Sequence, residues 1–250
     1  MNKFFFNLKQ SAFSICLKLF SFANSRCFCL VCGKYCGNIC VCKNCYQNYF
    51  SISLDFEKRC KKCGKTLVSE ENLCMECRNN SVFSSTDKVF PLFSYRLWNS
   101  DFLCRWKLEE ERIYSSFFAA LVNSGLKKLK ESVGDFILVP VPPRPGKIKE
   151  KGWDQIQELC SFLKFKFGWK VENLLERKTS VQQKTLDRKN RMETIASAFS
   201  ILPQINQIPE QVCIIDDVIT TGSTIEACAS VLKEKNKAVK VYALSIFIVD

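Results

Sequence analysis

Cys-Ile-Ile-Asp-Asp-Val-Ile-Thr-Thr-Gly-Ser-Thr-Ile, residues 213–225, is the stretch of this 250-residue chain that decides the fold. An apolar run ends in two adjacent carboxylates, Asp216 and Asp217, and a polar loop follows before a helical pattern begins. Backbone N–H groups at a helix N-terminus bind phosphate, and carboxylates accept hydrogen bonds from sugar hydroxyls or approach them through a metal ion. The stretch therefore predicts a phosphate loop made of Thr220, Thr221, Gly222, Ser223 and Thr224.

A purely structural interpretation of this stretch competes with the binding one. Isoleucines occur in any buried parallel strand, Thr-Gly-Ser is a common turn, and Asp216 or Asp217 is able to cap the next helix. However, two acids followed by four hydroxyl-bearing residues and a glycine provide more polar chemistry than a turn requires. The binding interpretation is favoured, and the order of residues resembles the PRPP-binding motif of type I phosphoribosyltransferases.

The chain after residue 80 alternates between strand and helix patterns. Strands are predicted over 136–141, 212–215 and 239–249, and helices over 101–130 with a break near Gly125, 154–167 and 224–235. This alternation predicts an α/β fold with a mostly parallel sheet and helices on both faces. Ligands of such sheets bind beyond the carboxyl ends of the strands.

A proline-rich loop over residues 140–155 also follows a predicted strand, so it is expected to face the same crevice as the acids. Its Arg144 and Lys151 are candidates for neutralising a pyrophosphate. The alternative for each cation of this loop is a solvated surface position.

Sixteen cysteines are present, and twelve precede residue 80. Four C-x-x-C pairs are spaced so that two pairs complete one tetrahedral thiolate site for zinc. The simplest predicted ligand sets are Cys29, Cys32, Cys42 and Cys45, and then Cys60, Cys63, Cys74 and Cys77. Interleaved pairing is the alternative, Cys27, Cys36 and Cys40 are left over, and a disulfide framework would need a secreted chain. Five cysteines in apolar contexts are predicted to be core thiols: Cys16, Cys104, Cys160, Cys213 and Cys228.

Composition limits the chemistry. The chain has no histidine, which excludes histidine-based acid–base catalysis, Ser-His-Asp triads and mixed Cys/His zinc sites. The formal net charge of +12 falls to +8 if two four-thiolate zinc sites each carry −2. The chain therefore stays basic, and contacts to nucleic-acid phosphates, helped by Tyr35, Tyr46 and Tyr49, are plausible unless these tyrosines pack between the knuckles.

Residues 1–25 are rich in Phe, Leu and Ser, but lysines interrupt the apolar run. The pattern fits an amphipathic helix better than a signal peptide or a spanning helix. Docking on the protein is favoured, and lying on a membrane surface is the alternative. The expected domains are this helix over 1–25, a double zinc ribbon over 26–80, and an α/β domain over 81–250.

Nearly the whole chain resembles ComF-type competence proteins, a phosphoribosyltransferase-like family with an N-terminal double zinc ribbon. The resemblance rests on the Asp-Asp loop, on residues 139–142, and on Gly152, Gln155, Gln183, Leu186, Arg191, Ala198 and Phe199. The chain departs from the family pattern at Lys151, Trp153, Asp154 and Thr194. Lys151 keeps a positive charge but lacks the planar fork of arginine, and Asp154 replaces a neutral amide by an acid.

This resemblance implies a type I phosphoribosyltransferase-like fold and a role in natural transformation, namely the handling of incoming single-stranded DNA with other DNA-uptake proteins. It places the protein in the cytoplasm, at the inner face of the membrane, without a transmembrane segment. Asp216 and Asp217 would hold the ribose hydroxyls of PRPP bound with Mg²⁺, and Thr220–Thr224 would hold its 5-phosphate. The alternative is an active phosphoribosyltransferase of nucleotide salvage with a structural zinc module, which needs no histidine because positioning and electrostatics dominate that catalysis.

Overall fold

The computed structural model describes residues 28–37, 41–50, 58–95, 97–178 and 198–249, with the backbone alone for 97–99. The chain divides into two compact units, Met1–Ser51 and Ile52–Asp250. The helix predicted over 1–25 lies outside the described residues, and the domain boundary near residue 80 stays a prediction. Among the described helices, none has both the length and the apolar character needed to cross a membrane.

The described part of the first unit contains a knuckle turn and a short helix. Gly33 donates its N–H to the carbonyl of Cys29 and has a φ of +70°, a conformation that glycine adopts at no steric cost. Helix α1, Lys43–Tyr49, begins at Cys42, whose sulfur accepts the N–H of Cys45. The turn and the helix N-terminus therefore each present cysteine sulfurs.

The second unit is a mixed α/β structure, which confirms the predicted fold class. Its strands are β1 Lys88–Ser94, β2 Ile137–Pro140, β3 Leu175–Arg177, β4 Phe199–Ile201, β5 Gln211–Ile219 and β6 Lys240–Ile248. Its helices are α2 Met75–Asn80, α3 Leu97–Lys107, α4 Ile113–Val133, α5 Lys147–Lys151, α6 Gln155–Phe167 and α7 Ser223–Lys235. The main sheet has the order β1-β6-β5-β2 with every neighbouring pair parallel, while β3 and β4 form a separate antiparallel pair.

Helices cover both faces of the main sheet because its central strands are apolar on both sides. On one face, Val212 and Ile214 of β5 pack in the same core as Cys228 and Leu232 of α7. On the other face, Gly125 of α4 lies so close to β1 and β6 that an added Cβ would stand 2.4 Å from Leu92. Cys160, Cys213 and Cys228 are buried in these cores as predicted.

Two details of the predicted helices are wrong. Helix α4 runs through Gly125 without interruption, and the break lies instead between Lys107 and Ile113, where Glu110 has a φ of +59°. Gly125 is needed for close packing and not for a turn. Cys104 is exposed, because α3 buries its Phe102, Leu103 and Trp106 side and turns Cys104 away.

The second cysteine module, residues 58–80 with Cys60, Cys63, Cys74 and Cys77, covers the β1 edge of the main sheet. The N–H of Val89 in β1 donates to the carbonyl of Lys62, and the Arg59 guanidinium donates to the carbonyl of Pro91. At the opposite edge, Leu138 of β2 exchanges hydrogen bonds with Lys170 and Glu172. Backbone groups at both edges are therefore paired within the protein, which protects them from association with other chains.

Candidate functional site

A cleft of about 630 Å³ lies beyond the carboxyl ends of the four parallel strands. Its walls include the residues that follow these strands: Tyr95 after β1, Val141 after β2, Thr220 after β5 and Val249 after β6. The acid pair and the proline-rich loop both contribute to it, so the crevice expected from the sequence is present.

Asp217 is the buried member of the acid pair and is held by three donors. Its Oδ2 lies 2.9 Å from the ammonium nitrogen of Lys107 and accepts a hydrogen bond from Nε2 of Gln155 at 2.9 Å. Its Oδ1 accepts the N–H of Val218 at 2.7 Å. Burial alone would lower the pKa of Lys107, but the charges of Asp217 and Asp216 outweigh it and raise that pKa. Lys107 is therefore a fixed positive charge at the acid pair.

Asp216 is the more accessible acid of the pair, since it is partly buried whereas Asp217 is 4% exposed. Its Oδ1 accepts the N–H of Asp217 at 2.8 Å. Burial, together with the neighbouring charge of Asp217, raises the pKa of Asp216 well above its usual range. Both acids lie inside β5 and not at a cap position, because the residue that precedes α7 as its N-cap is Gly222.

The predicted phosphate loop forms a tight turn between β5 and α7. Gly222 has a φ of +81° and leads directly into the first turn of α7. The hydroxyls of Thr221 and Ser223 lie 2.9 Å apart, and Thr220 and Thr221 are exposed. Residues Asp216 and Val218–Ile225 surround a small recess of about 20 Å³ at this turn. The first N–H groups of α7 have no acceptor within the helix and point to this end.

The cations predicted for the proline-rich loop do not share one environment. Arg144 lines the cleft and pairs with Glu150 at 2.5 Å. Lys151 does not line the cleft, because its ammonium group turns to Glu110 at 2.8 Å. Lys147 takes the place expected of Lys151: it lines the cleft and contacts Asp154 at 2.6 Å and Gln155.

Asp154 caps helix α6, which explains how an acid is accepted where the ComF-type pattern has an asparagine. Its Oδ1 accepts the N–H groups of Ile156 and Gln157, both at 3.0 Å, while its Oδ2 pairs with Lys147. Aspartate and asparagine are equally good at this position of a helix. The local structure therefore does not need the amide.

Lys107, Gln155 and Arg177 are polar residues of the cleft that the sequence did not assign to the PRPP site. Arg177 lies over the ring of Phe199, and its buried Nε has no hydrogen-bond acceptor among the described residues. Lys107 and Arg177 stand at the ends of elements remote in sequence from the Asp-Asp stretch, so no local pattern connects them with it. Gln155 was visible only as a match to the family motif.

The structure assembles the eight knuckle cysteines into two groups of four, with sequential and not interleaved pairing. The groups are Cys29, Cys32, Cys42 and Cys45, and Cys60, Cys63, Cys74 and Cys77. Within each group the ligand atoms all lie within 4.8 Å of one another. Cys36 belongs to neither group, and Cys27 and Cys40 lie outside the described residues.

The geometry of both groups fits a tetrahedral zinc ion. The sulfurs of Cys32 and Cys42 are 3.8 Å apart, and those of Cys63 and Cys74 are 3.6 Å apart. Four thiolates at about 2.3 Å from one zinc ion are separated by about 3.8 Å along each edge of the tetrahedron. A disulfide would require about 2.05 Å. The donor set is soft and complete, which suits a structural site.

In each group the pKa of the first cysteine is lowered, which favours its thiolate form. Burial alone would raise the pKa of Cys29, but hydrogen bonds from the backbone N–H groups of Cys42, Cys32 and Val31 lower it to about 6. The same balance lowers the pKa of Cys60 to about 7. Burial raises the pKa of Cys77 to about 11. The two groups therefore offer the same chemistry to a metal ion, starting from an equivalent first cysteine.

No protein-family model matches the chain. The chain is 27% identical over 207 residues to the competence protein ComFC of Streptococcus pneumoniae, a match that covers 82% of this chain and 87% of that protein. It is 25% identical over 231 residues to competence protein F of Haemophilus influenzae, covering 86% and 94% of the two proteins. These relatives confirm the predicted resemblance to ComF-type competence proteins.

Proposed function

We propose that this protein binds PRPP, or a related phosphoribose, in the cleft beyond the parallel strands and acts in a competence-related process. The observation that carries the binding proposal is that the acid pair and several cationic side chains line one cleft, and that this cleft shares Asp216, Thr220 and Thr224 with the recess at the Thr-Gly-Ser-Thr turn. The competence-related role is supported by the names of the two relatives.

The 5-phosphate is assigned to the turn between β5 and α7. Gly222 has a φ of +81°, which gives the turn its tight shape, and the hydroxyl-bearing residues Thr220, Thr221 and Ser223 line the recess. The first N–H groups of the 13-residue helix α7 have no acceptor within the helix, and together with its positive dipole end they favour a dianion at this point. These features together support a site for a phosphate monoester.

The ribose is assigned to the acid pair, with unequal roles for the two acids. Asp216 is accessible enough to accept hydrogen bonds from ribose hydroxyls, whereas Asp217 already accepts from Lys107, Gln155 and Val218. Asp217 therefore acts mainly by positioning Lys107 and Gln155 in the cleft wall. Because the pKa of Asp216 is raised, ligands that need its anionic form bind more tightly as the pH rises through that pKa.

The pyrophosphate is assigned to the cationic wall of the cleft. Arg144, Lys147 and Arg177 line it, and the Nε of Arg177, which has no acceptor within the described part of the chain, is a donor suited to an oxyanion. Lys151 contributes only if its contact with Glu110 is released. PRPP carries Mg²⁺ on its pyrophosphate, and the carboxylate oxygens of the acid pair are donors that this ion accepts.

The wider role proposed is the handling of incoming single-stranded DNA, in the cytoplasm and at the inner face of the membrane. The formal charge of +12 and the exposure of Tyr35, Tyr46 and Tyr49 support contacts to phosphates and bases. Binding to single strands should weaken steeply as salt is raised and depend little on sequence.

Calorimetry with PRPP and Mg²⁺ tests the ligand proposal. We expect saturable binding to the wild type and at least tenfold weaker binding to Asp216→Asn, which removes the charge but keeps the shape. Asp135→Asn is the matched control, since Asp135 is an exposed acid at the amino end of β2 that pairs with Lys130. Gly222→Val should abolish binding, because an added Cβ would stand 2.4 Å from Phe83.

Equal dissociation constants for the wild type, Asp216→Asn and Gly222→Val would show that the motif is only a turn. Asp217→Ala is a less selective test, because it leaves Lys107 and Gln155 without their buried partner and lowers stability as well. Release of pyrophosphate with one member of a panel of bases would favour the nucleotide-salvage function over binding without turnover.

A further inference from the structure

The phosphate loop rests on a residue from the segment that follows the second cysteine group. Phe83 lies directly against Gly222, so close that a Cβ at position 222 would stand 2.4 Å from the Phe83 ring. Phe83 is 6% exposed and belongs to the same core as Cys60, Cys63, Ile219 and Ile225. The residues before and after the loop therefore pack in one core with three cysteines of the second group, Cys60, Cys63 and Cys74.

The same segment is tied to helix α7 by a single carboxylate. Glu226 accepts hydrogen bonds from the backbone N–H and the hydroxyl of Ser84, from the N–H of Ser85, and from the N–H and the hydroxyl of Thr86. Burial alone would raise the pKa of Glu226, but these hydrogen bonds lower it. Glu226 stands in the first turn of α7, one turn after Gly222.

The cysteine module fixes the other end of this segment. Helix α2 starts directly after Cys74, carries Cys77, and ends at Asn80, three residues before Phe83. The ammonium group of Lys62, between Cys60 and Cys63, donates to the carbonyl of Thr86 at 2.8 Å. The segment between α2 and β1 is therefore held by the cysteine module at both of its ends and by Glu226 along its length.

A cavity separates the cysteines of the second group from the phosphate loop. A space of about 910 Å³ is lined by Cys63 and Cys77 on one side and by Thr220 and Thr221 on the other. The loop has room to move into this space. What opposes such a movement is the packing of Phe83 under Gly222 and the hydrogen bonds to Glu226.

We propose that Phe83 and Glu226 are positioning residues through which a metal ion in the second cysteine group holds the phosphate loop in its binding geometry. The inference rests on the proposed function of that loop in binding phosphate. By thermodynamic linkage, phosphate binding then also tightens metal binding at Cys60, Cys63, Cys74 and Cys77. The first cysteine group has no such role in this proposal.

Hydrogen–deuterium exchange of the ligand-free full chain tests the coupling without any need for activity. Cys74→Ser with Cys77→Ser removes the metal from the second group. We expect peptides covering residues 219–226 to exchange at least tenfold faster, while peptides covering 136–141 in β2 stay unchanged. The matched control is Cys42→Ser with Cys45→Ser, which removes the metal from the first group and should leave residues 219–226 at the wild-type rate.

A second pair of variants keeps all cysteines and guards against simple unfolding. Glu226→Gln should retain both metal ions and still accelerate exchange in 219–226, because it weakens the hydrogen bonds to Ser84, Ser85 and Thr86. Glu234→Gln is its control, because Glu234 lies on the same helix and accepts a hydrogen bond from the Ser230 hydroxyl at 3.3 Å. Unchanged exchange in Glu226→Gln overturns the proposal, and so does an increase that includes residues 136–141.

Calorimetry with PRPP separates this inference from the proposed function. If the wild type binds PRPP, Glu226→Gln should bind it about tenfold more weakly than Glu234→Gln does. If the wild type binds no PRPP, the proposed ligand is wrong, whereas the exchange data still decide whether metal and loop are coupled. If PRPP binds with equal affinity to the wild type and to Glu226→Gln, the coupling is absent and the proposed function survives.

Discussion

The two four-cysteine groups have the same local design, and their surroundings differ. In each, a glycine with positive φ follows the second cysteine, Gly33 at +70° and Gly64 at +75°. An added Cβ at Gly33 would meet nothing within 4 Å, whereas one at Gly64 would stand 2.3 Å from Pro91 of β1. The local sequence therefore specifies the knuckle conformation in both groups. The second knuckle, at Gly64, also packs against β1.

The burial of the ligands follows the same division. In the first group, Cys29 and Cys45 are buried but Cys32 is exposed. In the second group, Cys60, Cys63 and Cys74 are all buried and belong to the core that also contains β1, β5 and α7 residues. The comparison predicts that a metal ion bound in the second group would stabilise the α/β unit, whereas one bound in the first group would stabilise its own unit.

The largest expected effect comes from removing one ligand of each group. Cys60→Ser should lose one of two zinc ions and lower the stability of the α/β unit by several kcal/mol, since structural zinc contributes folding free energy of roughly 10 kcal/mol. Cys29→Ser should lose one zinc ion as well. Its effect on the α/β unit should be within about 0.5 kcal/mol. Tryptophan fluorescence during urea unfolding distinguishes them, because all four tryptophans follow residue 51.

Metal analysis provides the control for this measurement. Both variants must contain one zinc ion fewer than the wild type before their midpoints are compared. Equal loss of tryptophan-monitored stability in Cys60→Ser and Cys29→Ser would contradict the different roles of the two groups. Mapped disulfides within either group would contradict the zinc sites themselves.

The two knuckle glycines give an intermediate effect. Gly33→Ala should cost about 1 kcal/mol, which is the strain of positive φ alone. Gly64→Ala adds a clash with Pro91 and the carbonyl of Val89, so it should cost about 3 kcal/mol or more. Thermal unfolding of both variants, with the zinc content measured in parallel, tests this difference. Similar losses in the two variants would mean that the second module moves away from β1 at little cost.

A further expected difference is a pH dependence that only the second unit has through carboxylates, since residues 1–51 contain no Asp and no Glu. The pKa of Glu226 is lowered in the folded protein, so its contribution to stability is present above the ordinary glutamate pKa and disappears as the pH falls through the folded value. Glu226→Gln should cost about 2 kcal/mol at pH 7 and progressively less toward pH 3. Urea midpoints of both proteins between pH 3 and pH 7 provide the measurement, and a constant difference would contradict it.

The parts of the fold that the sequence predicted correctly are those that depend on short stretches of the chain. The strand before Asp216, the helix after Gly222 and the four C-x-x-C pairs each depend on fewer than about fifteen neighbouring residues, and all of them are present. The fold class followed from their order along the chain. Spacing also favoured the sequential assignment of the knuckles, and the structure decided between it and the interleaved alternative.

What the sequence could not predict depends on contacts between distant segments. Lys107 becomes part of the site only because α3 ends beside the carboxyl end of β5. Gly125 was read as a break because a glycine within a helical pattern has two explanations, a turn or a close approach, and only the position of Leu92 decides between them. Lys151 and Lys147 have the same chemistry, so only the position of Glu110 shows which one faces away from the cleft.

Because β1 pairs with β6, the main sheet can be completed only late in the synthesis of the chain. Lys88 pairs with Tyr242, so the strand next to the second cysteine module finds its neighbour only after nearly the whole chain has left the ribosome. The four cysteines of that module are close in sequence and are able to bind metal long before. Until β6 arrives, one edge of β1 has no partner strand while the module already covers the other. Metal binding at that stage would therefore hold the module against one edge of β1 before β6 pairs with the other edge.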